Sequence, residues 1–272
     1  TEALDTEERH EVALRDAQTR ALAREREHAY WSLPYSRRET ASTLRALRPD
    51  GAGAALDLGC GTGRYTTELA RACRHVLAVD FSLESLGWLA RESAPPPNVG
   101  LLHGDITRLR LAPRRFERVL ATTPLDSRAQ RLAMHRVAAD ALGDSGIYVF
   151  SVEHYDARSR WRRAPRAQRY RPGENLFFRL RRHEVEREAA PFFLDVRGRP
   201  INVALPLSRA LPAAWRPAVA GLAERIPGLR ELGELVLVRA ARPLREPEEG
   251  APAESAGLLR LVQRLARTAR GD

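Results

Sequence analysis

Between residues 54 and 152, short apolar runs alternate with segments whose apolar positions recur at helical spacing. Ala55–Leu58, His75–Val79, Gly100–His103, Arg118–Thr122 and Ile147–Val152 read as five strands. Arg64–Ala72, Ser82–Glu92 and Ser127–Leu142 read as the helices between them, with Ser82 as an N-cap. Pro95-Pro96-Pro97-Asn98 stops one helix, and Gly143-Asp144-Ser145-Gly146 predicts a turn ahead of the fifth strand. Such alternation predicts a parallel sheet wrapped by helices.

The flanks follow different patterns. Residues 1–29 are polar and helical in propensity, with Leu4, Val12, Leu14 and Leu22 as sparse apolar positions. They predict a partly packed helix or helix pair that covers a cleft or a partner. Tyr30-Trp31-Ser32-Leu33-Pro34-Tyr35 breaks that segment, and Pro34 suits the first turn of a helix running to about Leu47. After the fifth strand we expect a helix near Arg181–Ala189 and a strand at Phe192–Val196 or Ile201–Leu205. A helix over Ala213–Glu224 and a strand at Leu235–Ala240 should follow. A Pro/Glu/Gly linker at 243–252 leads to an amphipathic basic helix over Ser255–Thr268. Its apolar face comprises Leu258, Leu259, Leu261, Val262 and Leu265. No internal repeat is visible.

Composition narrows this picture only locally. With 272 residues and 43% apolar content, the chain can bury a sizeable core. The formal net charge of +10 comes from arginine alone, since lysine is absent. A lysine-free composition rich in Ala, Arg and Pro is what a GC-rich genome produces, so basicity by itself says little about nucleic acid. Its distribution says more: Arg158 to Arg187 holds eleven arginines against three glutamates, or +8 of the +10. Cys60 and Cys73 offer neither a disulfide framework nor a metal cluster. No apolar run reaches the roughly 18–20 residues that span a bilayer, and the charged N-terminus lacks an apolar signal core. The expectation is a cytoplasmic protein.

The candidate chemistry begins at Leu56-Asp57-Leu58-Gly59-Cys60-Gly61-Thr62-Gly63, where an apolar strand enters a glycine-rich turn. Twenty-three residues after Asp57, Asp80 closes Val-Leu-Ala-Val-Asp. Glycines let backbone approach a ligand closely, and a carboxylate at the end of the second strand can accept from a ribose. The turn lacks the G-x-G-x-x-G spacing of a dinucleotide site. Asp-x-Gly-x-Gly-x-Gly instead resembles the first motif of the class I S-adenosylmethionine-dependent methyltransferases, and the likeness extends over about residues 30–155. It implies a Rossmann-like, doubly wound, mostly parallel seven-stranded sheet with helices on both faces. That methyltransferase domain would occupy 34–242, with an arginine-rich lid-like segment at 157–190. An N-terminal helical cap (1–33) and a linker with a C-terminal helix (243–272) complete the expected organisation.

The resemblance also implies an S-adenosylmethionine site. Asp57 would hold the ammonium group, while Gly59, Cys60, Gly61 and Gly63 form the turn. Asp80 would take the ribose hydroxyls, with Phe81 flanking the adenine. Leu102-His103-Gly104-Asp105-Ile106 matches the family's third cofactor segment, so Asp105 would meet the adenine amine and Ile106 would flank it. Thr122 would lie near the methionine moiety. Tyr30, Leu33-Pro34-Tyr35 and Arg37-Arg38 are similar to a helix found ahead of the first motif, which nominates Tyr35 and Arg38 for the methionine carboxylate.

For the acceptor, only candidates emerge. Ser151-Val152-Glu153-His154-Tyr155-Asp156 follows the fifth strand, so His154 is the candidate general base, with Tyr155 behind it. Ala121-Thr122-Thr123-Pro124 lacks the Asn/Asp-Pro-Pro-aromatic pattern of enzymes that methylate nucleobase amines. The arginine segment carries Trp161, Tyr170, Phe177 and Phe178, which suits either a carboxylated, phosphorylated or aromatic small substrate or single-stranded RNA. A solvated cover over the cleft fits the same residues. The expected activity is O- or N-methylation of a small molecule, such as a bacterial specialised metabolite. A tRNA methyltransferase and a methyltransferase-like fold with a non-methylating role are the alternatives. Partners are a small-molecule substrate and a second copy through the terminal helices, with no membrane and no metal.

Overall fold

The computed structural model describes residues 13, 16–17, 34–92, 94–122, 127–168, 177–203, 205, 211–212 and 215–245. Nearly all of the N-terminal cap, and the C-terminal helix expected at 255–268, lie outside these residues.

The core is laid down in order from α1 (Pro34–Leu47) and β1 (Ala54–Leu58) to α2 (Thr66–Ala72) and β2 (His75–Asp80). Next come α3 (Leu83–Glu92), β3 (Val99–His103), β4 (Phe116–Ala121), α4 (Arg128–Ala141) and β5 (Leu142–Glu153). A smaller set follows: α5 (Ala157–Trp161), a two-stranded hairpin of β6 (Ala167–Gln168) and β7 (Phe177–Phe178), and α6 (Arg182–Ala189). The chain then returns to the main sheet through β8 (Phe193–Val203), α7 (Arg216–Ala223), α8 (Pro227–Arg230) and β9 (Gly233–Pro243).

Among the described residues the main sheet has seven strands in the order β3-β2-β1-β4-β5-β9-β8. The first five run parallel, and β9 is antiparallel to both β5 and β8. The order reverses between β1 and β4, which in open α/β sheets marks the ligand-binding crevice. Strand periodicity feeds two cores. Leu56, Leu58, Val119, Tyr148 and Phe150 pack with Met134 and Ala138 of α4 and Val185 of α6. The alternate residues Ala55, Leu120, Ile147 and Val149 pack with Leu47 of α1 and Leu69 of α2. The sheet is thus buried on both faces, as a doubly wound fold requires. No described helix is long and apolar enough to cross a membrane.

The N-cap expected at Ser82 forms, and Ser127, where the next helix is expected to begin, also caps it. The Ser82 hydroxyl accepts from the Ser85 amide at 3.1 Å, and Ser127 forms a capping box with Gln130. Two expectations need correction. The glycine-rich stretch at 143–146 is a bulge inside β5, not a turn before it. Leu142 already pairs with Phe116, and the next pair is Ile147 with Arg118. Phe192–Val196 and Ile201–Leu205 are not alternatives, since residues from both lie on the single long strand β8.

Candidate functional site

The turn after β1 is shaped by backbone that only glycine adopts easily. Gly59, Gly61 and Gly63 have φ of 72°, 53° and 95°. A Cβ on Gly63 would sit 2.2 Å from Leu89 Cδ1, so this glycine lets α3 close on the turn, whereas a Cβ on Gly61 would meet nothing within 4 Å. The amides of Gly59 and Cys60 both donate to the Val79 carbonyl, at 2.8 and 3.0 Å. Cys60 is buried, and desolvation pushes its thiol well above the usual range.

Asp80 ties this turn to the second strand. Its Oδ2 accepts from the Gly61 amide at 2.7 Å and its Oδ1 from the Ser82 amide at 2.9 Å. Register places Leu58 beside Val79 and Asp80 beside His103, so the ends of β1, β2 and β3 form one rim. Ser82 also reaches outward, its hydroxyl donating to Asp16 Oδ1 at 2.5 Å, so a residue of the N-terminal segment touches that rim.

Asp57 lies deeper. It is 1% exposed, accepts from the Thr66 hydroxyl at 2.7 Å, and pairs with no cation among the described residues. Burial raises its carboxyl to about 7; the Thr66 bond opposes that rise and the nearby Asp80 charge adds to it. A buried carboxylate raised in this way, with a second carboxylate nearby, makes the site complementary to a cationic group.

At the end of β3, Asp105 Oδ1 accepts from the amide and the hydroxyl of Thr107, each at 2.8 Å, and Oδ2 lies 3.7 Å from Arg108 Nε. Ile106 is buried in the core. Nε2 of His103 lies 3.0 Å from the Phe81 carbonyl, which can only accept, so this ring N–H fastens the segment after Asp80 to β3. Thr122 directly follows β4 and is half-buried.

On α1, Tyr35 is 39% exposed, while Arg38 bonds Glu224 at 2.5 Å, away from the turn. Arg64, just after the third glycine, is the arginine held at the turn. It donates to the Ser36 carbonyl at 2.7 Å, to Thr40 Oγ1 and to the buried Glu39. Tyr65 also donates to Glu39, at 3.3 Å.

Past β5 comes the arginine-rich segment. His154 is 1% exposed and its Nδ1 lies 2.8 Å from the Gly233 carbonyl, so Nδ1 carries the proton. Its Nε2 is buried with no hydrogen-bond partner among the described residues. Burial pushes the imidazole below its ordinary 6.5, against an opposing pull from the Gly233 carbonyl. The Tyr155 hydroxyl donates to the Ala164 carbonyl at 2.8 Å, and Arg166 and Arg179 stand over its ring at 5.0 and 5.8 Å. Arg166 binds both oxygens of Glu184, Arg158 binds Asp156, and Arg179 donates to Ser159 and Pro165. Trp161 at the end of α5 is 82% exposed.

Residues 55–146, which span the turn, Asp80, Asp105 and β4, match the family model of a methyltransferase domain. Over those residues the chain is similar to methyltransferase domains. Solved structures share its fold at low identity. N-methyltransferase NodS from Bradyrhizobium japonicum, with S-adenosylhomocysteine, is 16% identical with a TM-score of 0.54, covering 78% of this chain and 89% of its own. The 1,6-didemethyltoxoflavin-N1-methyltransferase of Burkholderia thailandensis, with 1,6-didemethyltoxoflavin and S-adenosylhomocysteine, is 18% identical with a TM-score of 0.55, covering 89% and 92%. The DhpI–SAH complex is 18% identical with a TM-score of 0.54, covering 87% and 99%. No curated protein matches the sequence significantly.

In this fold Asp57, Gly59, Cys60, Gly61, Gly63, Asp80 and Phe81 gather at the ends of β1 and β2, with Asp105 and Ile106 just past β3. Arg38 turns instead to Glu224. Sequence reading missed Arg64, Thr66, Glu39 and Ser82's link to Asp16. Ser36, Glu39, Thr40 and Thr43 recur at helical spacing along α1, and that polar stripe was the available signal.

Proposed function

We propose that the protein is an S-adenosylmethionine-dependent methyltransferase that methylates an oxygen or nitrogen atom of a small molecule. The observation that carries this reading is Asp80, whose carboxylate joins the Gly61 and Ser82 amides at the aligned ends of β1 and β2. When bound, the cofactor supplies a methyl group on an already activated sulfonium. The residues then have to align the acceptor and, for a hydroxyl or ammonium acceptor, remove a proton.

In this reading Asp80 accepts from the ribose, Phe81, Asp105 and Ile106 surround the adenine, and Asp57 receives the ammonium. Thr122 and Tyr35 border the methionine end, which Arg38 would reach only by leaving Glu224. His154 serves as base through Nε2. Tyr155, whose hydroxyl is committed to Ala164, orders the cover instead. The internal pairing of Arg158, Arg166 and Arg179 speaks against that segment as an RNA footprint.

Calorimetry with S-adenosylhomocysteine tests the cofactor assignment. Asp80→Ala should weaken binding by on the order of 1.5–3 kcal/mol, the worth of charge-assisted hydrogen bonds. Unchanged affinity would reject it. Labelled S-adenosylmethionine offered with a metabolite panel then tests methyl transfer.

A further inference from the structure

Helix α1 has two polar faces. Ser36, Glu39 and Thr40 hold Arg64 beside the glycine turn. Arg38, Ala41, Ser42 and Arg45, at i, i+3, i+4 and i+7, line a separate groove of about 860 Å³. The opposite wall is α7, with Gly221 and Leu222 and then Arg225 just beyond its end, and Arg199 of edge strand β8 also lines it. β8 lies four strand positions from β1, roughly 19 Å at about 4.8 Å per strand. The groove opens on the face of α1 opposite the one that holds Arg64, and meets the turn's surroundings through Asn202, which bonds both Glu224 and Glu39.

Its charge is unbalanced. Four guanidiniums line it against one carboxylate, Glu224, which is already bonded to Arg38 and to the Asn202 amide. Arg45 donates to the Ser42 hydroxyl at 3.2 Å, and neither it nor Arg199 nor Arg225 has a carboxylate partner among the described residues. Several arginines elsewhere are neutralised by carboxylates: Arg131 by Glu188, Arg166 by Glu184, Arg158 by Asp156 and, on β8 itself, Arg197 by Asp195. Three unpaired cations around one concavity repel each other, and an anion would relieve that repulsion. The lining also offers apolar surface at Ala41 and at Leu222, which is 61% exposed. The volume falls in the range of about 300–1,000 Å³ typical of small-molecule sites.

We propose that this groove is a second binding site, for a small organic polyanion of the phosphate-ester class. Arg45, Arg199 and Arg225 hold its phosphate oxygens, and Ala41 and Leu222 support its carbon skeleton. Guanidinium forks match phosphate geometry bidentately. A single groove between two helices suits such a ligand better than an RNA strand, which needs basic groups along an extended track.

Calorimetry of the full chain at low salt, with inorganic pyrophosphate as probe, tests this site. We expect saturable binding that weakens at least tenfold in Arg199→Ala/Arg225→Ala. It should also be lost in Gly221→Leu, because an added Cβ there meets nothing within 4 Å and the side chain fills the groove without a backbone clash. Unchanged circular dichroism and thermal transitions certify that both variants fold, and S-adenosylhomocysteine affinity should be unaltered in each. The proposal is overturned if the wild-type chain does not bind pyrophosphate, or if both variants bind it as the wild type does. It is equally overturned if a single-stranded RNA oligonucleotide binds more tightly than pyrophosphate and is lost in the same variants.

Discussion

Thr66 donates its hydroxyl to Asp57 over 2.7 Å, joining the first turn of α2 to β1 and giving a buried carboxylate a hydrogen bond but, among the described residues, no counter-charge. Asp57 consequently titrates near 7 in the fold against 3.8 in an ordinary setting. Between those values the folded state binds more protons than the unfolded one, so this residue removes stability as pH rises through that window and adds no further loss above it. Thermal transitions measured from pH 4 to 8 should show the advantage of Asp57→Asn over the wild type growing up to about pH 7 and then levelling. A pH-independent difference would refute the assignment.

The first-motif glycines should separate stability from binding. Gly63→Ala forces a Cβ to 2.2 Å from Leu89 at φ of 95°, combining overpacking with a left-handed backbone. A loss of about 2–4 kcal/mol in urea unfolding is expected. Gly61→Ala has φ of 53° but open space around the added carbon. It should cost only about 1–2 kcal/mol of stability while abolishing measurable S-adenosylhomocysteine binding. Equal stability losses would contradict this division.

Arg131 and Glu188 form a buried two-pronged pair at 2.8 and 2.9 Å that pins α6, the helix within the arginine-rich segment, to α4. Glu188→Gln leaves the buried Arg131 without its carboxylate and should cost about 3–5 kcal/mol, whereas Arg131→Met should cost less, because Arg128 Nε still lies 3.6 Å from Glu188 Oε1. The double variant Arg131→Met/Glu188→Leu should recover most of that loss, because apolar replacements of similar volume need no partner. A double-mutant cycle by chemical denaturation provides the check. Simple additivity would mean that the pair is not coupled.

The parallel half of the fold was legible because each strand end carries its own punctuation: Ser82 and Ser127 cap helices, and Gly59-Cys60-Gly61-Thr62-Gly63 turns the chain. The antiparallel half was less so. Pro200 and Gly198 interrupt the apolar pattern of β8, and its continuity comes from pairing with β9, a contact between distant residues that no local signal contains. The same limit applies to the site. Asp57, Asp80 and Asp105 sit at strand ends that sequence spacing can find. Arg38 and Arg64 compete for carboxylates on different elements, Glu224 and Glu39, and only the fold decides which arginine is held at the turn.

His154 offers the sharpest test of the catalytic reading. The Gly233 carbonyl holds the imidazole, and a Cβ on that glycine would lie 2.5 Å from the Ile201 carbonyl oxygen, so position 233 needs glycine for β9 to approach β8 this closely. With Nδ1 donating to Gly233, the lone pair resides on Nε2, and burial keeps the ring neutral at pH 7. A base already deprotonated should leave kcat flat through neutrality and let it fall only on the acid side, below 6.5. His154→Gln should lower kcat by about 10²–10⁴-fold, the usual worth of a general base, and remove that acid limb. S-adenosylhomocysteine affinity should stay unchanged. A loss of cofactor binding parallel to the loss of rate would instead assign His154 to holding β5 against β9. A rate within a few-fold of wild type would mean that alignment alone suffices for transfer.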